Sequence, residues 1–248
     1  MLRFFRQIRK TLMEQNKVRT YLLYAIGEIA LVMIGILLAL QVNNWNQNRI
    51  EQAQLQNYYE RIIEEIETDV PVKQNFLIKN QQVIDLNKRT LYLLNSADPD
   101  SLKQLRNTLG ALSTAWSLNI SYPVLNEFKN SGYLSKVQNT ELKQKFFELN
   151  SVIEFTNSID TYIVEQYLNT IEPYIIKSFN YQAVALERYQ NLLIPGGPPI
   201  DYTQFNEDLE LWNMVSFKLE TAGLYNEYIQ SLIDEQRSLI NILEMELE

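Results

Sequence analysis

The chain has 248 residues, of which 22 are Lys or Arg and 30 are Asp or Glu, and it contains neither histidine nor cysteine. This composition excludes disulfide bonds, thiol nucleophiles, imidazole bases and zinc sites built from Cys or His. A calcium or magnesium site made of carboxylates stays open, but the sequence has no D-x-D-x-D-G loop. We therefore predict no cofactor and no metal.

Basic residues dominate residues 1–20, which hold six Lys or Arg against one acid, Glu14. Because positive charge is retained on the cytoplasmic side of a membrane, this segment predicts a cytoplasmic N-terminus and export of the rest. Apolar residues recur at helical spacing among the cations, which favours a short amphipathic helix at the anionic lipid surface, with Arg3, Arg6 and Arg9 as interfacial anchors. The alternative is a disordered basic flank that only sets the orientation.

Residues 21–42, YLLYAIGEIALVMIGILLALQV, contain one charged side chain, Glu28, and no proline. Roughly 20 residues at about 1.5 Å each cross the hydrocarbon of a bilayer, so this segment predicts a transmembrane helix. A cleavable signal peptide is the main alternative, but its apolar region is only about 7 to 15 residues long and ends in small residues of A-x-A type. Residues 39–43 lack that pattern, and we expect an uncleaved signal anchor in the lipid bilayer.

Glu28 lies about 10 Å inside the cytoplasmic end of the predicted span. A lone carboxylate at that depth costs on the order of 2.5 to 3.5 kcal/mol unless a partner shares it. At heptad spacing Glu28 lies on one stripe with Val32, Gly35 and Ala39, and the last two form a small-xxx-small motif that lets two helices approach closely. This stripe is the predicted site of association or ion binding.

Three interpretations of Glu28 are open. In the first, a neutral Glu28 hydrogen-bonds across a homo-oligomer or to another membrane protein. In the second, it binds an ion or proton in a channel or a motor-type subunit. Stator subunits of ion-driven motors also have one span with a carboxylate, although theirs is an aspartate and their exported domain is α/β. In the third, Glu28 reaches the inner headgroups without a partner.

Residues 43–71 are predicted to continue the span as a helical stalk. The amide-rich run after Val42 lies where headgroups meet water, which makes Trp45 an interfacial anchor. Apolar residues recur every three or four positions as far as Val70. Pro71 should kink or end the helix because proline lacks the backbone N–H.

Residues 72–248 are predicted to form a helical bundle, because apolar residues recur at helical spacing and strand-like alternation is absent. Ser121 and Asn139 are predicted to cap helices, and residues 206–208 should start a final helix that reaches the C-terminus. Residues 193–201, with two glycines and three prolines, read as a connecting loop. The predicted fold class is all-α, an N-terminal transmembrane helix that continues into an elongated bundle.

The exported part is acidic. Without residues 1–42 the chain keeps 16 basic and 28 acidic residues, a charge of about −12. Nucleic acid and anionic lipid are therefore poor partners for it.

Two stretches resemble a known family. Residues 21–46 and the opening residues 1–6, above all G-E-I at 27–29 and Q-V-N-N-W-N at 41–46, are similar to the start of an uncharacterised Gram-negative bacterial family of single-span inner-membrane proteins. The resemblance covers the first fifty residues strongly and the whole chain loosely. It implies an inner-membrane location, a cytoplasmic N-terminus and a periplasmic helical domain. It implies no reaction, because the family has no established activity.

The second stretch lies in the middle of the exported part. Residues 127–134, EFKNSGYL, and 139–142, NTEL, are similar to that family's E-L-K-x-S-G-x-L and N-x-E-L, with Phe128 in place of leucine. The polar groups around Ser131 could form a ligand site. They are more typical of a glycine-terminated helix whose polar groups bond its last carbonyls.

The leading hypothesis is a non-enzymatic, membrane-anchored structural or interaction protein that associates through the Glu28/Gly35/Ala39 face. The first alternative is an ion- or proton-conducting subunit with Glu28 as the ion ligand, and the second is a periplasmic sensor that binds a ligand between helices. A hydrolase is the last alternative. Its neighbouring acids, more typical of a solvated helix face, would be Glu64, Glu65, Glu67 and Asp69.

Overall fold

The computed structural model describes residues 18–96 and 98–248, and this part of the chain is helical with no β-strand. One π-helical turn lies over Tyr167–Ile171. The all-α prediction is confirmed. In chain order the helices are α1 (Val18–Ser96), α2 (Pro99–Lys103), α3 (Pro123–Asn130), α4 (Tyr133–Lys136), α5 (Thr140–Gln166), α6 (Glu172–Ser178), α7 (Tyr181–Val184), α8 (Glu187–Gln190) and α9 (Leu209–Leu247).

Helix α1 is 79 residues long and contains the predicted span. Its most apolar window, near the N-terminus, has a mean hydropathy of 2.4, and none of that window is buried. Among the described residues, α1 is the one helix long and apolar enough to cross a membrane. The chain divides into two compact units, the first ending at Asn57 and the second formed by Tyr58–Glu248, and α1 contributes residues to both.

Helix α1 does not end at Pro71, as the sequence analysis allowed, but continues to Ser96. Pro71 is exposed, so water can bond the carbonyl that lacks an N–H partner. Ile66 before the proline and Phe76 after it are both buried, and their packing holds the helix together across this position. Residues 58–71 of the predicted stalk thus lie in the second compact unit.

In Tyr58–Glu248, the second part of α1, α5 and α9 form the long helices of the bundle. The ring of Phe76 in α1 packs edge-on against Tyr225 in α9 with centroids 5.2 Å apart, and Phe155 in α5 stacks on Tyr228 in α9 at 4.4 Å. Several apolar side chains of this unit have no exposed surface. They are Ile62, Leu105, Phe128, Leu142, Leu149, Val215, Ile229, Leu232, Leu239 and Leu243.

Short helices pack around a cluster of buried apolar side chains that includes Leu105, Leu109 and Phe205. Gly110 lies against the backbone that leads from α7 to α8. A Cβ atom built on Gly110 would lie 2.8 Å from the Leu186 nitrogen and closer still to the Val184 oxygen. A side chain therefore does not fit at this position.

Two predicted helix starts are confirmed and one is wrong. Asn139 caps α5 by accepting hydrogen bonds from the backbone N–H of Glu141 and Leu142, and Asp208 caps α9 in the same way. Ser121 does not cap α3, which begins at Pro123. The Glu65 carboxylate instead accepts the first free N–H groups of α3, those of Val124 at 2.9 Å and Leu125 at 3.1 Å. A carboxylate of α1 thus replaces a local cap. The loop over residues 193–201 is confirmed.

Candidate functional site

The predicted association face lies on the exposed apolar part of α1. Val32 is 59% exposed, and Gly35 and Ala39 are exposed with it. A Cβ atom on Gly35 would meet no atom within 4 Å. Since Glu28, Val32, Gly35 and Ala39 follow one another by four, three and four residues within one helix, the four lie on one side of α1. Val32, Gly35 and Ala39 are exposed on this side, and Glu28 is half-buried.

The predicted interfacial anchors fall into two groups. Arg3, Arg6 and Arg9 lie outside the described residues. Trp45 is 64% exposed, and the guanidinium of Arg49 lies over its ring at 5.7 Å from the centroid. A cation held on an exposed indole ring is compatible with a place where headgroups meet water.

A buried polar cluster, which the sequence analysis missed, joins α1 to α9. We name it the Lys73 cluster, and it consists of Asp69, Lys73, Tyr122 and Gln236. The Oδ2 atom of Asp69 accepts hydrogen bonds from Tyr122 Oη at 2.5 Å and Gln236 Nε2 at 2.9 Å, and it forms an ion pair with Lys73 Nζ. Lys73 Nζ also donates to Tyr122 Oη at 2.6 Å. Three separate parts of the chain thus meet at one carboxylate.

Burial controls the electrostatics of the Lys73 cluster. Lys73 is only 1% exposed, and desolvation lowers its pKa to about 7. Desolvation also raises the pKa of Tyr122, and the charge of Glu65 adds to that shift. An amine with such a pKa can act as a base or nucleophile near neutral pH, but Lys73, Tyr122 and Gln236 are all buried from solvent. The geometry supports a structural role.

The sequence carries a signal for this cluster in the heptad spacing of α1. Ile66, Lys73, Asn80 and Asn87 follow one another at intervals of seven residues, and all four are buried. Polar residues therefore occupy a column of core positions, which in helical bundles fixes the register of neighbouring helices. Asn80 does so here, because its Nδ2 atom donates to Asn226 Oδ1 at 2.8 Å and to the Ala222 carbonyl at 3.3 Å.

A second buried lysine holds the irregular segment between α2 and α3. Lys218 of α9 donates its Nζ to the carbonyl of Thr114, and desolvation lowers its pKa to about 8. Tyr225 Oη accepts the backbone N–H of Leu118 at 3.1 Å. Asn157 of α5 bonds both backbone groups of Ile120, since its Oδ1 accepts the N–H at 3.1 Å and its Nδ2 donates to the carbonyl at 3.0 Å.

Polar groups of the family-like stretch are used within the fold. Ser131 Oγ donates to the carbonyl of Glu127 at 2.8 Å, and Gly132 has a φ of 80°, as expected where a helix ends at glycine. The carboxylate of Glu127 accepts hydrogen bonds from Tyr58 Oη at 2.9 Å and Arg61 Nη2 at 2.8 Å. This stretch therefore fastens α3 to α1.

Two of the four acids named for a hydrolase are engaged in the fold, Glu65 at the start of α3 and Asp69 in the Lys73 cluster. Glu64 and Glu67 are exposed. Within the described ranges, no group of three or more acidic side chains is arranged to hold a metal ion.

An open groove of about 480 Å³ lies where α1 ends and α9 begins, lined by Leu94, Phe205 and Trp212. The acid at its edge, Asp208, already accepts the Leu211 N–H at 2.9 Å and Tyr174 Oη at 2.6 Å.

Comparison with known proteins gave no match. No protein-family model, no curated protein and no solved structure matches the chain. The resemblance to a family of single-span inner-membrane proteins therefore stays a prediction.

Proposed function

We propose that this protein is a non-enzymatic, membrane-anchored interaction protein that associates with a second copy or another membrane protein through the Glu28/Gly35/Ala39 face of α1. One observation carries the proposal. No residue in the apolar window of α1 is buried within the chain, while the second compact unit buries an apolar core. A surface of that kind is stable when lipid and neighbouring helices cover it.

The composition of the face points to helix association. Gly35 and Ala39 present little more than backbone, and small residues four apart let two helices pack closely in lipid. Glu28 lies on the same side, and a carboxyl group in a bilayer gains most from a partner across a helix pair. The packing surface and the polar contact are therefore supplied by one stripe.

The use of polar groups in the bundle supports an interaction role over catalysis. Its lysines with lowered pKa, Lys73 and Lys218, are buried and bonded to groups of the fold. Glu65 caps a helix. These groups stabilise the domain that the anchor would hold at the membrane surface.

Association in the bilayer tests the proposal. The full chain is reconstituted in lipid vesicles with donor and acceptor dyes, and energy transfer is measured as the protein is diluted in lipid. We expect Gly35→Ile to weaken association by about tenfold or more, because a branched side chain separates the helices. Glu28→Gln should weaken it less, since an amide keeps a hydrogen bond.

The matched control is Gly27→Ile. Gly27 is a glycine of the same helix with the same open surroundings, but it lies about 100° around the helix from Glu28. If Gly27→Ile and Gly35→Ile behave alike, or if the wild type transfers no energy at any dilution and retains no membrane partner, the proposal is wrong.

A further inference from the structure

We propose that the bundle carries a second binding surface, which takes a polypeptide segment with a carboxylate between apolar side chains. The surface consists of Trp116, Arg188, Tyr189 and Leu192, and we name it the Arg188 surface. It lies outside the apolar face of α1. Its central feature is an arginine that lies over two aromatic rings.

The Arg188 guanidinium is oriented by stacking. Its Cζ atom lies 4.0 Å from the ring centroid of Trp116 and 4.8 Å from that of Tyr189. Over residues 18–96 and 98–248, no carboxylate, carbonyl or amide oxygen accepts a hydrogen bond from its side chain. A guanidinium whose face lies over a ring can still donate hydrogen bonds from its N–H edge. A carboxylate accepts two of these bonds at once, as a planar bidentate acceptor.

Arg61 shows what an arginine in the same setting does when the fold supplies a carboxylate. It also lies over a tyrosine ring, that of Tyr58 at 5.3 Å, but it bonds Glu127 at 2.8 Å. The exported part of the chain has 28 acids against 16 bases, so its own carboxylates are abundant. Arg188 has no carboxylate partner among the described residues, so its N–H groups are available to the carboxylate of a partner.

An exposed apolar side chain lies close to the arginine along the chain. The N–H of Leu192 bonds the carbonyl of Tyr189 at 2.9 Å, and Leu192 is 79% exposed. Arginine, tryptophan and tyrosine are the residue types that carry most energy in protein interfaces, and exposed apolar neighbours exclude water from them. This combination favours a polypeptide with apolar side chains over a free phosphate.

The fold fixes the geometry of the Arg188 surface in advance. Gly110 lies directly against the backbone of Val184 and Leu186, immediately before α8. Ser113 Oγ donates to Tyr181 Oη at 3.2 Å, which ties the start of α7 to the segment that leads to Trp116. Because these contacts set the positions of Arg188 and Trp116 before binding, little ordering is left for the partner to cause.

This inference rests on the proposed function in one respect, that the protein binds partners. It uses a different surface and a different measurement. Peptide binding reports on Arg188, whereas energy transfer between copies reports on the α1 face, so each can fail while the other holds.

The experiment titrates the full chain, held in lipid nanodiscs, with a fluorescein-labelled peptide of sequence Ala-Leu-Glu-Leu-Ala and follows fluorescence anisotropy. The second probe is the same peptide with glutamine in place of glutamate. We expect the glutamate peptide to bind about tenfold more tightly than the glutamine peptide. Arg188→Gln should remove that preference, Arg188→Lys should keep part of it, and Trp116→Leu should weaken binding.

Arg61→Gln is the matched control, because it removes an arginine that also lies over a tyrosine ring but is already paired. It should leave the preference unchanged. Equal affinity for the two peptides, or an unchanged preference in Arg188→Gln, would overturn the proposal.

A lipid surface is the competing partner, and the same protein tests it. In a Trp45→Phe/Trp212→Phe background Trp116 is the remaining tryptophan. Vesicles containing brominated phosphatidylglycerol are added to the nanodiscs, and Trp116 fluorescence should not be quenched. Quenching that Arg188→Gln abolishes would assign the surface to lipid and overturn the peptide proposal.

Discussion

Within the described residues, most large apolar side chains of the first compact unit are exposed, whereas the second compact unit contains the buried apolar core. Leu37 in the first unit is 57% exposed, whereas Leu239 in the second is fully buried. A side chain on Gly35 would meet nothing, whereas one on Gly110 would overlap backbone. Leu37 and Gly35 lie in the exposed apolar part of α1, whereas Leu239 and Gly110 lie in the packed part of the second unit. Burial of apolar surface in water is favourable by about 25 cal/mol per Å², and the exposed apolar part of α1 gains none of this stabilisation within the described chain.

We expect the largest change in stability when a buried leucine is replaced, and the same substitution of an exposed leucine is the comparison. Leu239→Ala should lower the free energy of unfolding of the bundle by about 2 to 5 kcal/mol, because it removes buried methyl groups and leaves a cavity. Leu37→Ala should leave that free energy unchanged within about 0.5 kcal/mol, as an exposed position does. Urea unfolding of the full chain in detergent, followed by near-UV circular dichroism, measures both. Equal losses in the two variants would contradict the contrast between an exposed and a buried leucine.

We expect a smaller change in stability when a closely packed glycine is replaced, with an exposed glycine as the comparison. We expect Gly110→Ala to cost about 1 to 3 kcal/mol, since the new methyl group must displace the backbone of Val184 and Leu186. Gly35→Ala should not change the unfolding of the bundle. The same unfolding measurement applies. If Gly110→Ala were neutral, the short helices would not be packed as closely as the structure shows.

The smallest effect concerns pH. Burial lowers the pKa of Lys73 to about 7, while the unfolded chain keeps this amine protonated up to its ordinary range near 10.5. Above pH 7 the unfolded state therefore binds more protons than the folded state, and stability rises with pH. Between pH 7 and pH 8 we expect Lys73 to contribute a rise of about 1 kcal/mol. Below pH 7 this contribution should level off.

Lys73→Met is the comparison for that pH dependence. Lys218, whose pKa is about 8, is present in both proteins and cancels from the difference. Urea midpoints at pH 7 and pH 8 should differ more in the wild type than in Lys73→Met. Parallel shifts in both proteins would show that Lys73 keeps its proton when folded.

Structural features that depend on residues close together in the chain could be predicted from the sequence. Helical spacing predicted the long helices, and Asn139 and Asp208 were recognisable as caps because the groups they bond are two or three residues away. The exposed apolar stripe of α1 was likewise predicted from spacing alone. The association of that stripe is not tested by the structure and stays a proposal.

Features that depend on distant residues could not be predicted in this way. Ser121 was expected to cap α3, but Glu65, 59 residues before Val124, occupies that place. Pro71 was expected to disturb α1, but the core on either side of it holds the helix. Lys73 was not singled out in the sequence, because its partner Tyr122 lies 49 residues further along the chain.

Asn157 shows how a helical domain can bury a segment of backbone that is not helical. Ile120 is only 8% exposed, and its N–H and carbonyl groups both bond the one amide of Asn157. A primary amide offers a donor and an acceptor side by side, like one rung of a β-ladder. The side chain of Asn157 thus does for Ile120 what an adjacent β-strand would do, and the bundle covers a non-helical residue without building a sheet.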